Sequence, residues 1–89
     1  MHPSHHAQLT RLNKIEGQVK GIKRMIEDNR YCVDILAQLK AVRSATQRVE
    51  QEILKTHTAH CLKNAVISGD PVVIQQKIDE IMGLLKNRV

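Results

Sequence analysis

The chain has 89 residues, and its 14 Lys and Arg against 9 Asp and Glu leave a formal charge of +5, a balance that favours an anionic partner, nucleic acid above all. Tyr31 is the only aromatic residue, which excludes the stacking platforms of single-stranded nucleic-acid and RNA modules and leaves a Leu, Ile, Val and Met core of all-helical type. So short a chain lies near the lower limit for a self-sufficient core, and stabilisation by assembly with further copies is expected.

Residues 1–7 read as a short flexible leader whose His2, His5 and His6 are possible extra metal ligands. Residues 8–89 read as a single helical domain. The leader is polar, and no apolar run reaches membrane-spanning length, so a cytoplasmic protein without a membrane role is expected. Two cysteines in a reducing compartment suit a metal or redox site better than a structural disulfide.

The first helix is expected over about 9–28, with Leu9, Leu12, Ile15, Val19, Ile22 and Ile26 as its apolar stripe. Arg11, Lys14, Lys20 and Arg24 fall toward the opposite side, with Gly17 and Gly21. Two glycines inside a helix cost roughly 1 kcal/mol each relative to Ala. Close approach to another helix explains them, and close approach to a phosphate backbone is the functional alternative. The segment 1–30 holds six basic and three acidic residues, hence +3 of the +5. The turn Asp28-Asn29-Arg30 then reverses the chain.

From Cys32 to about Ile67 there is neither Pro nor Gly, so one long central helix is allowed. Cys32, Ile35, Leu39, Val42, Thr46, Val49, Ile53, Thr56 and His60 recur at alternating spacings of three and four, the seam of a helix that packs lengthwise on another. Acidic Glu50 and Glu52 dilute the charge of Lys40, Arg43, Arg48 and Lys55 along its polar sides. Ser68-Gly69 ends the helix, Asp70 caps a third one and Pro71 opens it. Ile74, Ile78, Ile81, Met82 and Leu85 give the apolar face of that third helix.

The long helix also carries the candidate metal site. At about 100° per residue Cys32, His57 and Cys61 share one face. His57 and Cys61 are an i,i+4 pair able to grip one ion, but Cys32 lies roughly 37 Å away along the same helix. One chain therefore cannot close the site. Two copies packed antiparallel bring Cys32 of one chain to His57 and Cys61 of the other, giving two equivalent sites. Two thiolates and an imidazole form a soft set that suits trigonal Cu(I), whereas Zn(II) would want a fourth ligand. If a leader histidine or His60 completes the shell, the preference moves toward Ni(II), Co(II) or Zn(II). His60 lies about 100° around the helix from Cys61, toward a neighbour or solvent.

No phosphate-binding Gly-rich loop, short helix-turn-helix, zinc finger or basic zipper is present. No nucleophile, base and orienting group can be assembled either, so an enzyme with a small-molecule substrate is not expected.

The run Arg11-Leu-Asn-Lys-Ile-Glu-Gly-Gln-Val-Lys-Gly21, followed by Tyr31-Cys-Val-Asp-Ile-Leu36 and then His57 and Cys61, closely resembles the CsoR/RcnR family of bacterial metal-sensing repressors over residues 9 to 86. Cys with His and Cys 25 and 29 residues later matches the copper-sensing branch. The resemblance implies a three-helix protomer, an antiparallel dimer with a four-helix-bundle-like core and a dimer of dimers. It implies a repressor that holds double-stranded operator DNA as apoprotein and releases it on binding Cu(I). By position it makes Cys32, His57 and Cys61 the metal ligands, with Tyr31 and Glu80 as supporting residues around them. Arg11, Gln18 and Arg48 match positions for DNA contact; the charge reading adds Lys14, Lys20 and Arg24. The nickel and cobalt sensors of the family use an N-terminal His, an option the leader keeps open, and the persulfide-sensing branch lacks the His that His57 supplies. A Ni(II)/Co(II) or thiol-redox sensor is thus the alternative within the class, and a cytosolic metal buffer or chaperone without DNA the alternative outside it.

Overall fold

A computed structural model describes residues 3–86. Three helices account for nearly all of them: α1 (Gln8–Glu27), α2 (Cys32–Ser68) and α3 (Pro71–Lys86), with no strand among the described residues. The all-α three-helix protomer with one long central helix is borne out, and the boundaries fall within a residue or so of those read from the sequence. No helix is long and apolar enough to cross a membrane among the described residues.

Both connections are made by the residues that local chemistry singles out. At the end of α1, Asn29 takes the left-handed conformation with φ 55°. Its amide donates to the Ile26 carbonyl at 3.2 Å, and the Arg30 amide donates to the Met25 carbonyl at 2.9 Å. These two bonds form the Schellman closure that satisfies the last carbonyls of a helix. The chain then enters α2 with the Tyr31 carbonyl accepting from the amides of Asp34 (3.0 Å) and Ile35 (3.2 Å). Asp34 stands in the first turn of α2, where the helix dipole favours an anion.

At the other end of α2, Gly69 has φ +68° and Asp70 Oδ1 accepts from the Val72 amide at 2.9 Å, the N-cap contact that frees α3 to start at Pro71. Gly69→Ala meets no steric obstruction, because nothing lies within 4 Å of the added Cβ, so its cost is purely conformational, about 1 kcal/mol. Asp70→Ala removes the cap at a cost of about 1 kcal/mol. Each variant is expected to lower the urea midpoint with an unchanged m value.

The protein divides into two compact units, residues 4–53 and residues 54–86, with α2 contributing to both. In the first unit, Ile22 and Val49 are buried together with Gln8. The inward side of α1 follows Gln8, Arg11, Ile15, Ile22 and Met25, rotated from the expected stripe: Leu9, Leu12, Val19 and Ile26 are 41–59% exposed. Arg11, expected on the far side, is half-buried here. The physical reason is that a hydrophobic stripe marks a surface suited to being covered without specifying which partner covers it. Among the described residues, an added Cβ at Gly17 or Gly21 meets nothing within 4 Å beyond its own stretch of helix, so no other described helix makes the close approach expected there.

In the second unit Ala65 is the buried apolar residue. Val73, Ile74, Lys77 and Ile81 are the half-covered positions along most of α3, while Ile78, Met82 and Leu85 of its expected apolar face remain 40–54% exposed.

Candidate metal centre

The second half of α2 places His57 and Cys61 one turn apart on the same face, as the i,i+4 spacing demands. Cys61 Sγ lies 3.5 Å from His57 Nε2 and 3.9 Å from Nδ1. From α3, Glu80 Oε1 reaches His57 Nε2 at 3.2 Å. A carboxylate only accepts, so Nε2 is the donor in this contact, and Nδ1 is the nitrogen left for a metal in the neutral ring. The second oxygen of Glu80, Oε2, accepts from Lys77 Nζ at 3.3 Å. The Glu80 carboxyl is held below its ordinary value, first by the hydrogen bond from Lys77 and then by that from His57, which keeps it ionised as an acceptor.

These donors fit a metal. With metal–thiolate and metal–imidazole bonds of about 2.3 and 2.0 Å, a sulfur and a nitrogen on one ion stand roughly 3.5–3.7 Å apart at angles of about 110–120°. Cys61 Sγ stands 3.9 Å from Nδ1, the nitrogen that Glu80 leaves free, a few tenths of an ångström beyond that separation. A metal-bound imidazole characteristically donates its other N–H to a carboxylate, and Glu80 occupies that position. Among the described residues, no group of three or more His, Cys, Asp and Glu side chains able to hold an ion is gathered in the single chain. Cys32, the expected third ligand, is a free, exposed thiol at the first residue of α2, in the other unit.

The remaining candidates are dispersed. Tyr31 is 69% exposed. His60 is half-buried and paired with Asn64 Nδ2 at 3.1 Å through Nε2. His5 is half-buried, and His6, whose amide donates to Ser4 Oγ at 3.3 Å, is exposed. His2 lies outside the described residues. Of the basic set, Lys14, Lys20, Arg24 and Arg48 are exposed, as is Gln18. Lys20 pairs with Glu16 at 3.7 Å and Arg48 with Glu52 at 3.2 Å. Arg11 Nη1 donates to Gln8 Oε1 at 2.9 Å, so a buried side chain holds its guanidinium. Sequence reasoning missed Gln8 and Lys77. A single Gln in a first turn, or a Lys three residues before a Glu, carries no signal that separates it from an ordinary solvated pair.

A thiol and an imidazole one helical turn apart, with a carboxylate on the imidazole, form a set able to take a soft metal ion. A family model described as a metal-sensitive transcriptional repressor matches residues 4–87, and the chain belongs to that family. It is 46% identical over 76 residues to the copper-sensing transcriptional repressor CsoR of Bacillus subtilis, covering 85% of this chain and 72% of that one. It is 49% identical over 61 residues to the copper-sensing transcriptional repressor RicR of Mycobacterium tuberculosis, covering 68% of this chain and 64% of that one. Among solved structures, the copper-sensing repressor CsoR with Cu(I) from Geobacillus thermodenitrificans is similar with a TM-score of 0.80 and 38% identity, over 97% of this chain and 91% of that one. The nickel-responsive transcriptional regulator InrS matches with a TM-score of 0.80 and 35% identity, over 97% of this chain and 93% of that one.

Proposed function

We infer that the chain is a Cu(I)-responsive repressor that holds operator DNA as apoprotein and releases it when Cu(I) binds. The observation that carries this reading is the His57–Cys61 pair, with Glu80 on Nε2 of the imidazole and, among the described residues, no third soft donor beside it in the same chain. Cys32 of the partner subunit supplies that donor in an antiparallel dimer. The set is then two thiolates and one imidazole, which suits a soft monovalent ion of low coordination number. The copper-sensing names of the Bacillus and Mycobacterium relatives point the same way.

Assembly is supported by the surface of the protomer. Leu9, Leu12, Val19, Ile26, Val33, Leu36 and Leu39 are 41–63% exposed, more apolar surface than a small monomer leaves in water. A homodimer that pairs into a homotetramer covers it and multiplies the basic surface of Arg11, Lys14, Lys20, Arg24 and Arg48, with Gln18 beside them, against the phosphates of double-stranded DNA. Contacts of that kind position the protein electrostatically, leaving sequence to be read largely through DNA shape. An ion held by two subunits at once favours one quaternary arrangement over another, and coupling of about 1–3 kcal/mol suffices for release. On this reading residues 8–89 act as one sensor domain behind the leader 1–7, with Tyr31 beside the partner-supplied thiol. The protein works in the cytoplasm without enzymatic activity.

The test is a gel shift with DNA from upstream of its own gene, with and without Cu(I). Retarded DNA that is freed by stoichiometric Cu(I) supports the reading, and absence of retardation assigns the protein to metal buffering. A Ni(II)-responsive variant of the same function is favoured by the similarity to InrS and by the half-buried His5. Thiolate charge-transfer absorption without ligand-field bands on Cu(I) titration separates copper from nickel or cobalt.

A further inference from the structure

We propose that Lys77 is a positioning residue for the metal centre: its ammonium fixes the Glu80 carboxylate so that one oxygen stays on the His57 Nε2 proton. The proposal rests on the ligand role given to His57 above.

Glu80 divides its two oxygens between two donors from two helices. Oε1 takes the His57 Nε2 proton at 3.2 Å, and Oε2 takes the Lys77 ammonium at 3.3 Å. Lys77 and Glu80 are i,i+3 neighbours on α3, so the contact is built into the helix and needs no tertiary support. Lys77 itself is half-covered, which restricts the otherwise free swing of its stem. Such a partly exposed pair contributes little to stability, so its effect lies in orientation. A glutamate on a helix surface samples several rotamers. With one oxygen tethered to its own helix, the carboxylate turns the other toward α2. The lone pair of His57 is thereby kept on Nδ1, on the side of the ring away from Glu80.

Residues that orient a metal ligand in this way cost about 10- to 100-fold in metal affinity when removed. Lys77, acting one step further out through Glu80, is expected to cost less, about 3- to 10-fold. The experiment compares the wild type with Lys77→Met, Glu80→Gln and the double variant. Nitrogen-15 NMR of the apoprotein reads the solvent exchange of the His57 Nε2 proton, and competition with a Cu(I) chelator reads affinity. Slow exchange in the wild type, comparably accelerated exchange in both single variants and no further change in the double variant are expected, with circular dichroism melts of Lys77→Met unchanged. Weaker Cu(I) binding in Lys77→Met follows the same order. An Nε2 proton that exchanges in Lys77→Met as it does in the wild type overturns the proposal. Accelerated exchange with Cu(I) affinity untouched in every variant upholds the positioning of His57 by Lys77 and sinks the copper reading instead.

Discussion

Mixing Cys32→Ala chains with His57→Ala chains is expected to restore a Cu(I)-dependent release of DNA that neither variant shows alone. The expectation follows from the proposed site, shared between antiparallel protomers. In a homodimer of either variant both sites lack a ligand, and Cu(I) affinity falls by more than about 100-fold, beyond the loss typical of a supporting residue. In the mixed dimer both lesions fall in one site. The other combines the intact Cys32 of one protomer with the intact His57 and Cys61 of its partner. Random subunit exchange makes roughly half of the dimers mixed, so titration should recover a high-affinity class of sites. Operator affinity of the apoproteins should be unchanged, since none of these side chains belongs to the basic set. A mixture as inert as its components, with subunit exchange verified, removes Cys32 from the site.

Arg11→Ala is expected to weaken operator binding by roughly tenfold or more and to flatten its salt dependence by about 0.9 in log–log slope for every subunit whose Arg11 contacts a phosphate. Arg11 differs from Lys14, Lys20 and Arg24 in being half-buried, with its guanidinium held by the buried Gln8. An oriented fork loses less freedom on meeting a phosphate than a free side chain does, and Lys cannot reproduce it. Arg11→Lys should therefore recover the salt slope but only part of the affinity. Filter binding between about 50 and 200 mM salt spans the range in which such slopes are resolved. An unaltered slope in Arg11→Ala would remove Arg11 from the contact surface.

The helices were legible in the sequence because their ends are written in local chemistry. Asn29, Gly69, Asp70 and Pro71 stop and start helices through their own backbone and side-chain geometry, and the structure places each in the expected conformation or contact. The direction in which α1 faces was less legible. Leu12, Val19 and Ile26 read as inward but are exposed in the protomer, while Gln8 and Arg11 turn inward. Periodicity sums burial over all partners and cannot apportion it among them. The pairing of His57 with Cys61 followed from their spacing alone. The contact with Glu80 needed α3 to fold back on α2, a long-range event that the identity of the turn announces without fixing its register. Lys77 was invisible, because its meaning depends wholly on what Glu80 touches.

The sparse interior has one more consequence. A protomer that, among its described residues, buries Ile22, Val49 and Ala65 alone of its apolar side chains has little folding free energy of its own to draw on. In the proposed assembly, acquiring shape and finding a mate are one equilibrium, so the supply of chains sets how much working sensor exists.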